Sequence, residues 1–253
     1  MVKLLKYLEN LKDHMQKRHQ YERLADLYSD SKKHRRRYHR HSLRNLNGCI
    51  FKVNDVGFEL VDISYEGLRI AFPDQAKASL PKIGKVFSGT ISILGMSCRS
   101  RMVIVHYGEN YCGIKFDNED TSLVGYLEST LYYLDAGLVM KRIPRNAVNH
   151  FYQSPSWNSY GSFNNCVEVH IRFGEEEQLD EVNISYLKGL RKEFVVFTSK
   201  ATTVSTFPET NLDIVAKKKI LRRTLLIITG FRQIGGTSHF DGLIESAIIL
   251  LKK

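Results

Sequence analysis

Long apolar runs are missing from this sequence. The longest are residues 225–228 and 247–251, far short of the ~18 residues that a membrane-spanning helix needs. The first residues also lack the apolar segment of a secretory signal, because Lys6, Glu9 and Lys12 interrupt it. We therefore expect a soluble, cytoplasmic protein without membrane insertion.

Closely spaced cysteines are absent as well. The chain has no Cys-x-x-Cys pair, and its four cysteines are scattered: Cys49, Cys98, Cys112 and Cys166. This spacing argues against a structural zinc site and against thioredoxin-like chemistry. Five of the nine histidines lie in the basic N-terminal portion, where neighbouring Lys and Arg would repel a cation. We expect no metal site, and free, mostly buried thiols in a reducing compartment.

Catalytic signatures are not found either. The sequence contains no P-loop, no Gly-x-Ser-x-Gly and no His-Glu-x-x-His. The glycines of residues 230–236 do not follow the dinucleotide-binding spacing, and we predict a turn there. With 43% hydrophobic and 25% charged residues the composition is that of a globular protein, and 253 residues suggest about two domains. A non-enzymatic protein without a cofactor is expected.

The positive charge is concentrated in one short stretch. The net charge is +10, and residues 31–44, SKKHRRRYHRHSLR, contain seven Lys/Arg and no acid. We call residues 31–44 the basic arm. A local excess of this kind favours one polyanion-binding site over a uniformly basic surface, although a solvated linker is the alternative. A second basic run, Lys217–Lys219 with Arg222 and Arg223, could bind acidic surfaces, but a solvated strand edge is the favoured interpretation.

The hydrophobic pattern changes period along the chain. Leu4, Leu8, Leu11 and Met15 have helical spacing, so residues 3–28 are predicted helical. Short runs rich in Val, Ile, Phe and Tyr then predict strands at residues 49–53, 58–63, 67–72, 86–93, 100–107 and 111–116. With no room for crossover helices, these strands must pair antiparallel, as a small barrel. A helix is predicted at residues 121–138.

Two short motifs join the basic arm to the predicted barrel. Arg36 and Arg40 form an Arg-x-x-x-Arg arrangement. Asp62, Ser64 and Gly67 form an Asp-x-Ser-x-x-Gly arrangement at a strand-to-strand turn. In this order and before this strand pattern, residues 32–136 resemble the PilZ domain, a bacterial receptor for the second messenger cyclic di-GMP. The resemblance implies a six-stranded antiparallel barrel followed by a helix.

The resemblance also implies roles for individual residues. Arg36 and Arg40 would be the principal phosphate and guanine contacts, with Arg35 as a third, because the guanidinium fork pairs with phosphate and with the guanine edge. Asp62 would accept from the guanine N1–H and N2–H₂ groups. Ser64 would offer a hydroxyl, and Gly67 would let the ligand approach the backbone. The alternative is that Asp62 and Ser64 only cap a turn and that Gly67 only supplies a positive φ.

The second half of the chain gives weaker signals. Residues 144–161 are interpreted as a linker or an irregular surface strand, and strands are predicted at residues 167–173, 181–186, 193–198, 212–216, 221–229 and 246–251. The segment from Val182 resembles the segment from Val61, which suggests a degenerate PilZ-like repeat. Chance similarity between two β domains is the alternative. The predicted units are residues 1–30 (helical), 31–140 (barrel with arm and helix), 141–161 (linker) and 162–253 (a second, mostly β module).

These observations favour a non-enzymatic cyclic di-GMP effector. Its basic arm would become ordered around the dinucleotide, and the protein would signal to an unidentified protein partner. The alternative is a nucleic-acid-binding protein with a basic arm and small barrels. That alternative explains the charge but not the turn at Asp62–Gly67, and the sequence lacks a run of aromatics for stacking single strands. No DNA partner is expected.

Overall fold

The fold is described from a computed structural model. It describes residues 39–44, 46–72, 79–117, 121–162, 167–174, 179–188, 191–198, 201–235 and 240–252. The predicted helix at residues 3–28 and most of the basic arm, including Arg35 and Arg36, lie outside the described residues. The architecture is mostly β with flanking helices, as the sequence predicts.

The first seven strands form a closed antiparallel barrel with one additional strand. They are β1 (His41–Ser42), β2 (Cys49–Val53), β3 (Val56–Ile63), β4 (Gly67–Ala71), β5 (Val86–Ile93), β6 (Met96–Tyr107) and β7 (Tyr111–Phe116). Six of them pair in the order β3-β2-β5-β6-β7-β4, and β4 returns to pair with β3, while β1 adds to β3. The predicted six-stranded barrel is therefore confirmed.

Local sequence explains how these strands form. In β2 the side chains of Cys49, Phe51 and Val53 are buried while those between them are exposed, the two-residue alternation of a strand with one face on a core. The hairpin from β2 to β3 turns at Asn54 and Asp55, whose φ angles are 49° and 64°. Two consecutive positive φ angles make the tight turn that matches the twist of a hairpin.

The second half forms an open six-stranded meander. Its strands are β8 (Lys141–Arg142), β9 (Trp157–Gly161), β10 (Val167–Phe173), β11 (Leu179–Lys188), β12 (Arg191–Thr198) and β13 (Thr202–Phe207), paired in sequence order. The predicted second, mostly β module is confirmed as a second antiparallel sheet. The suggested PilZ-like repeat does not close into a barrel there, because the described strands β8 and β13 are the two edges of this sheet and do not pair. The predicted linker at residues 141–161 supplies β8 and β9 together with two short 3₁₀ turns.

Three helices complete the described chain: α1 (Thr121–Leu138), α2 (Ile214–Gly235) and α3 (Asp241–Lys252). The bounds of α1 are those predicted. The strands predicted at residues 212–216, 221–229 and 246–251 are wrong. The turn predicted at residues 230–236 is also wrong, because its described residues, 230–235, belong to α2. Most of these wrong predictions concern residues of α2. Leu221, Leu225, Leu226, Ile227 and Ile228 are all buried, and a helix buried on several sides shows little periodicity.

Helices α1 and α2 join the two sheets through one continuous apolar core. Buried residues of the barrel, of α1, of α2 and of the second sheet belong to a single cluster. Two glycines set the distance between the helices. A Cβ on Gly137 would overlap the carbonyl oxygen of Ile227, and a Cβ on Gly230 would overlap that of Leu134. Within the described residues, no helix is both long and apolar enough to cross a membrane.

Candidate functional site

Strand register places the end of the basic arm beside the predicted turn motif. Ser42 of β1 pairs with Asp62 of β3. Since side chains alternate along an extended chain, Arg40 lies on the same face as Ser42 and reaches Asp62. The Arg40 guanidinium donates from Nη1 to Oδ1 of Asp62 at 2.6 Å. Two motifs separated by 22 positions in the sequence therefore meet on the barrel surface.

Asp62 is held between two arginines. Its second carboxylate oxygen, Oδ2, forms an ion pair with Arg69 of β4, the residue that pairs with Asp62 across the sheet. The Asp62 side chain is only 5% exposed, against 24% for Arg40 and 36% for Arg69. Two guanidinium groups around one carboxylate leave an excess of one positive charge, and both arginine side chains keep part of their surface exposed. This is suitable chemistry for an anion.

Ser64 and Gly67 close the turn between β3 and β4. The backbone N–H of Ser64 donates to the Gly67 carbonyl at 2.8 Å, and the Ser64 hydroxyl donates to the same oxygen at 3.1 Å. Ser64 therefore caps the turn. Gly67 does not have a positive φ, so the alternative that this glycine only supplies a positive φ is wrong. A Cβ there would overlap the Ile114 carbonyl oxygen, so Gly67 is required for the close approach of β4 to β7.

The other face of the arm's end points into the protein. His41, next to Arg40, is 1% exposed, and its Nε2 lies 2.8 Å from Oδ1 of Asp135 on α1. The N–H of Ser42 donates to Oε1 of Gln233 on α2 at 3.4 Å. Burial, and then the neighbouring His41, lower the pKa of His39. The end of the arm thus contacts the barrel, α1 and α2 within four residues.

Aromatic rings lie beside Arg69. Its guanidinium lies over the ring of Tyr111 at 5.5 Å from the centroid, and Tyr111 makes an edge contact with His106 at 5.6 Å. Gly113 is the residue opposite Arg69 on β7, and its lack of a side chain leaves room for the His106 ring. Tyr111 is 38% exposed. A guanidinium and a partly exposed ring offer stacking surfaces for a planar base.

Sequence reasoning missed Arg69, Tyr111, His41 and Asp135 as parts of this region. Arg69 carried a usable signal, because it follows Gly67 by two positions and therefore shares a face of β4 with it. The pairing of His41 with Asp135 joins positions 94 apart and has no local signal. Among the described residues, no group of three or more His, Cys, Asp or Glu side chains could hold a metal ion.

Comparisons with known proteins do not assign the chain to a family. No protein-family model matches it, and no curated protein matches it. Among solved structures, an uncharacterized protein from Legionella aligns with 36% of this chain and 88% of its own, at 17% sequence identity and a TM-score of 0.29. A TM-score this low carries no argument about fold or function.

Proposed function

We propose that this protein is a cytoplasmic, non-enzymatic receptor for cyclic di-GMP that signals to a protein partner. The observation that carries the proposal is the contact between Arg40 and Asp62. Arg40, the second arginine of the Arg-x-x-x-Arg motif, lies against the Asp62–Gly67 turn, as a clamp formed by the two motifs would require. The resemblance to the PilZ motifs indicates which ligand to expect. The cluster of Arg40, Asp62 and Arg69 offers a cationic surface for it.

The chemistry of the cluster suits a cyclic dinucleotide. The Asp62 carboxylate holds the guanidinium groups of Arg40 and Arg69 in position, so that their remaining N–H groups can pair with phosphate oxygens. A carboxylate has about four acceptor positions, so Asp62 retains capacity to accept from a guanine edge. The buried Nε–H of Arg69 has no hydrogen-bond partner among the described residues and would gain from an added acceptor. Tyr111 offers a stacking surface for a guanine base.

A route for the signal follows from the same strand. Arg40 faces the proposed ligand, while His41 and Ser42 contact Asp135 of α1 and Gln233 of α2. A ligand that changes the position of Arg40 would therefore act on contacts with both helices. Helix α2 lies between the barrel and the second sheet, so the second sheet and its helices are the proposed output module.

Calorimetric titration of the full chain with cyclic di-GMP, with GTP as the control ligand, tests the proposal. Arg40→Ala should weaken binding roughly thirty- to a thousand-fold, since it removes a directional charge-assisted contact. Arg40→Lys keeps the charge but loses the fork and should still lose most of the affinity. The matched control Arg99→Ala removes an exposed charge of the same barrel and should change affinity by about two-fold or less.

Asp62 separates specific recognition from bulk attraction. Asp62→Ala makes the site more positive, so a generic polyanion surface predicts tighter binding. Recognition through a positioned Arg40 predicts weaker binding, which is our expectation. Asp62→Asn, with a thermal unfolding midpoint measured for each variant, controls for loss of the fold. Tighter binding by Asp62→Ala would contradict the proposal and favour the nucleic-acid alternative. The same alternative would be favoured if cyclic di-GMP did not bind and Arg40→Lys bound a single-stranded oligonucleotide as well as the parent does.

A further inference from the structure

The beginning of α2 exposes apolar side chains to an unusual extent. Ile214 and Val215 are 64% and 69% exposed, and Phe207 at the end of β13 is 69% exposed. Among the residues whose side-chain exposure the structure describes, these are the three most exposed large hydrophobic side chains. From Ile220 to Phe231 the same helix is buried except at the half-buried Arg222, and Ile220 itself is 1% exposed. The first turn of α2 therefore projects from the body of the protein.

Three lysines follow directly on this turn. Lys217 and Lys219 are exposed and Lys218 is half-buried, and none of the ion pairs among the described residues involves them. Residues three and four apart are neighbours on a helix surface. Ile214 thus lies beside Lys217 and Lys218, and Val215 lies beside Lys218 and Lys219. We call Ile214, Val215 and Lys217–Lys219 the α2 tip.

Helix stability does not account for these residues. Asp213 caps the helix, since its Oδ1 accepts from the Ala216 N–H at 2.7 Å. The three lysines, however, occupy the early turns, where the helix dipole disfavours cations. Exposed Ile and Val also contribute little to helix propensity. A sequence that opposes local stability at an exposed position is expected where the residues serve a function.

We propose that the α2 tip docks the protein onto an anionic lipid bilayer surface. The lysines lie two to five residues after the aliphatic side chains, or about 3–8 Å further along the helix axis at 1.5 Å per residue. With the axis of α2 directed toward the bilayer, its apolar end would enter the headgroup region, where the apolar faces of interfacial helices lie about 5–10 Å deep. With Ile214 and Val215 at that depth, the lysine ammonium groups reach the level of the lipid phosphates. This inference does not depend on the proposed function of the Arg40–Asp62 cluster.

Lipid fits the α2 tip better than a protein partner does. A protein interface offers hydrogen-bonding groups to a partner of fixed shape, whereas the tip combines aliphatic side chains with flexible point charges. Attraction of lysines to anionic lipid is additive and requires no fixed geometry. The acidic residues close in sequence to the three lysines are Asp213, which caps the helix, and the exposed Glu209 in the connection from β13. Positive charge therefore remains in excess at the α2 tip.

Co-sedimentation of the full chain with vesicles tests this proposal. The vesicles contain equal amounts of phosphatidylglycerol and phosphatidylcholine, and pure phosphatidylcholine vesicles are the control. We expect binding only to the anionic vesicles, and weaker binding as salt increases. The triple variant Lys217→Gln/Lys218→Gln/Lys219→Gln should reduce the partition coefficient roughly a hundred-fold, at about five-fold per lysine.

Matched variants separate the α2 tip from general basic charge. Lys52→Gln/Lys82→Gln/Lys141→Gln removes the same charge from three scattered, exposed positions and should reduce binding by much less. The basic arm is intact in both triple variants, so its contribution cancels in the comparison. Equal losses in the two triple variants would overturn the proposal, because they would show attraction without a docking position.

The apolar part of the α2 tip has its own test. Ile214→Ser/Val215→Ser keeps every charge and should reduce vesicle binding about ten-fold, whereas Ile83→Ser/Ile249→Ser, at residues 59% and 55% exposed, should leave it unchanged. Circular dichroism would verify that each variant is folded. Parental vesicle binding by Ile214→Ser/Val215→Ser would also overturn the proposal, since only a polyanion patch, suited equally to an acidic protein, would then remain.

Discussion

Gly137 of α1 and Gly230 of α2 each lie against the backbone of the other helix. A Cβ on either glycine would overlap a carbonyl oxygen across the interface. The two helices can therefore approach to backbone contact, and they carry the joint core of the barrel and the second sheet. Any side chain at these two positions would force the barrel and the second sheet apart.

Alanine at these glycines should therefore destabilise the protein. Gly137→Ala and Gly230→Ala should each lower the free energy of unfolding by about 1–3 kcal/mol, because overpacking outweighs the better helix propensity of alanine. Gly125→Ala, in α1 like Gly137→Ala, is the control. A Cβ there has open space, so stability should rise by up to about 1 kcal/mol. Urea denaturation measures all three, and a stabilised Gly230→Ala would contradict the close packing.

The buried pair of His41 and Asp135 should contribute to stability. His41→Ala leaves the Asp135 carboxylate, 8% exposed, without its partner, and should cost about 1–3 kcal/mol. His106→Ala, at an exposed histidine of the barrel, should cost about 0.5 kcal/mol or less. Equal effects of the two substitutions on the unfolding midpoint would show that the pair has no special weight.

The free energy of unfolding should depend on pH through Glu168. The His170 ring and the Lys192 ammonium, at 3.8 Å and 2.9 Å from Oε2, lower the pKa of Glu168 from 4.5 to about 2, against the opposing effect of burial. A carboxyl whose pKa is depressed by folding stabilises the native state above its unfolded pKa, and that contribution is lost as pH falls through the folded value.

Glu168→Gln should therefore lower the free energy of unfolding by about 1–2 kcal/mol at pH 7. The difference from the parent should shrink as pH falls from about 4.5 toward 2 and disappear there. Glu59→Gln, at an exposed residue without an ion pair among those described, is the control. Denaturation curves across this pH range check the prediction, and a difference that grows in acid would contradict the assigned sign.

The buried thiols should resist alkylation. Burial raises the pKa of Cys49 and of Cys112 to about 12, and the thiolate is the reactive form. In the native protein at pH 8, iodoacetamide should leave both residues unmodified over hours, and both should react after denaturation. Peptide mass spectrometry measures the modification. Native labelling of Cys112, which has no exposed surface, at the rate of a free thiol would show that the barrel opens readily.

The strands of the barrel and helix α1 could be predicted because their signals are local. Alternating burial as in β2, turn residues such as Asn54 and Asp55, and one apolar stripe in α1 are each contained within a few residues. Helices α2 and α3 could not be recognised in this way. Runs such as residues 225–228 and 247–251 are apolar without a clear period, and only the neighbours they pack against decide between helix and strand.

By itself the sequence determined the barrel and the concentration of charge in the basic arm. It also determined the candidate set of Arg35, Arg36, Arg40, Asp62, Ser64 and Gly67, of which the last four lie in the described part of the chain. Only the tertiary structure decided what these residues contact. The pairing of Ser42 with Asp62 brings Arg40 to the carboxylate, and the pairing of β3 with β4 adds Arg69. Such contacts depend on strand register, which the whole barrel fixes by burying one face of every strand. The α2 tip was likewise decided by the fold, since exposure of an apolar residue is a property of its surroundings.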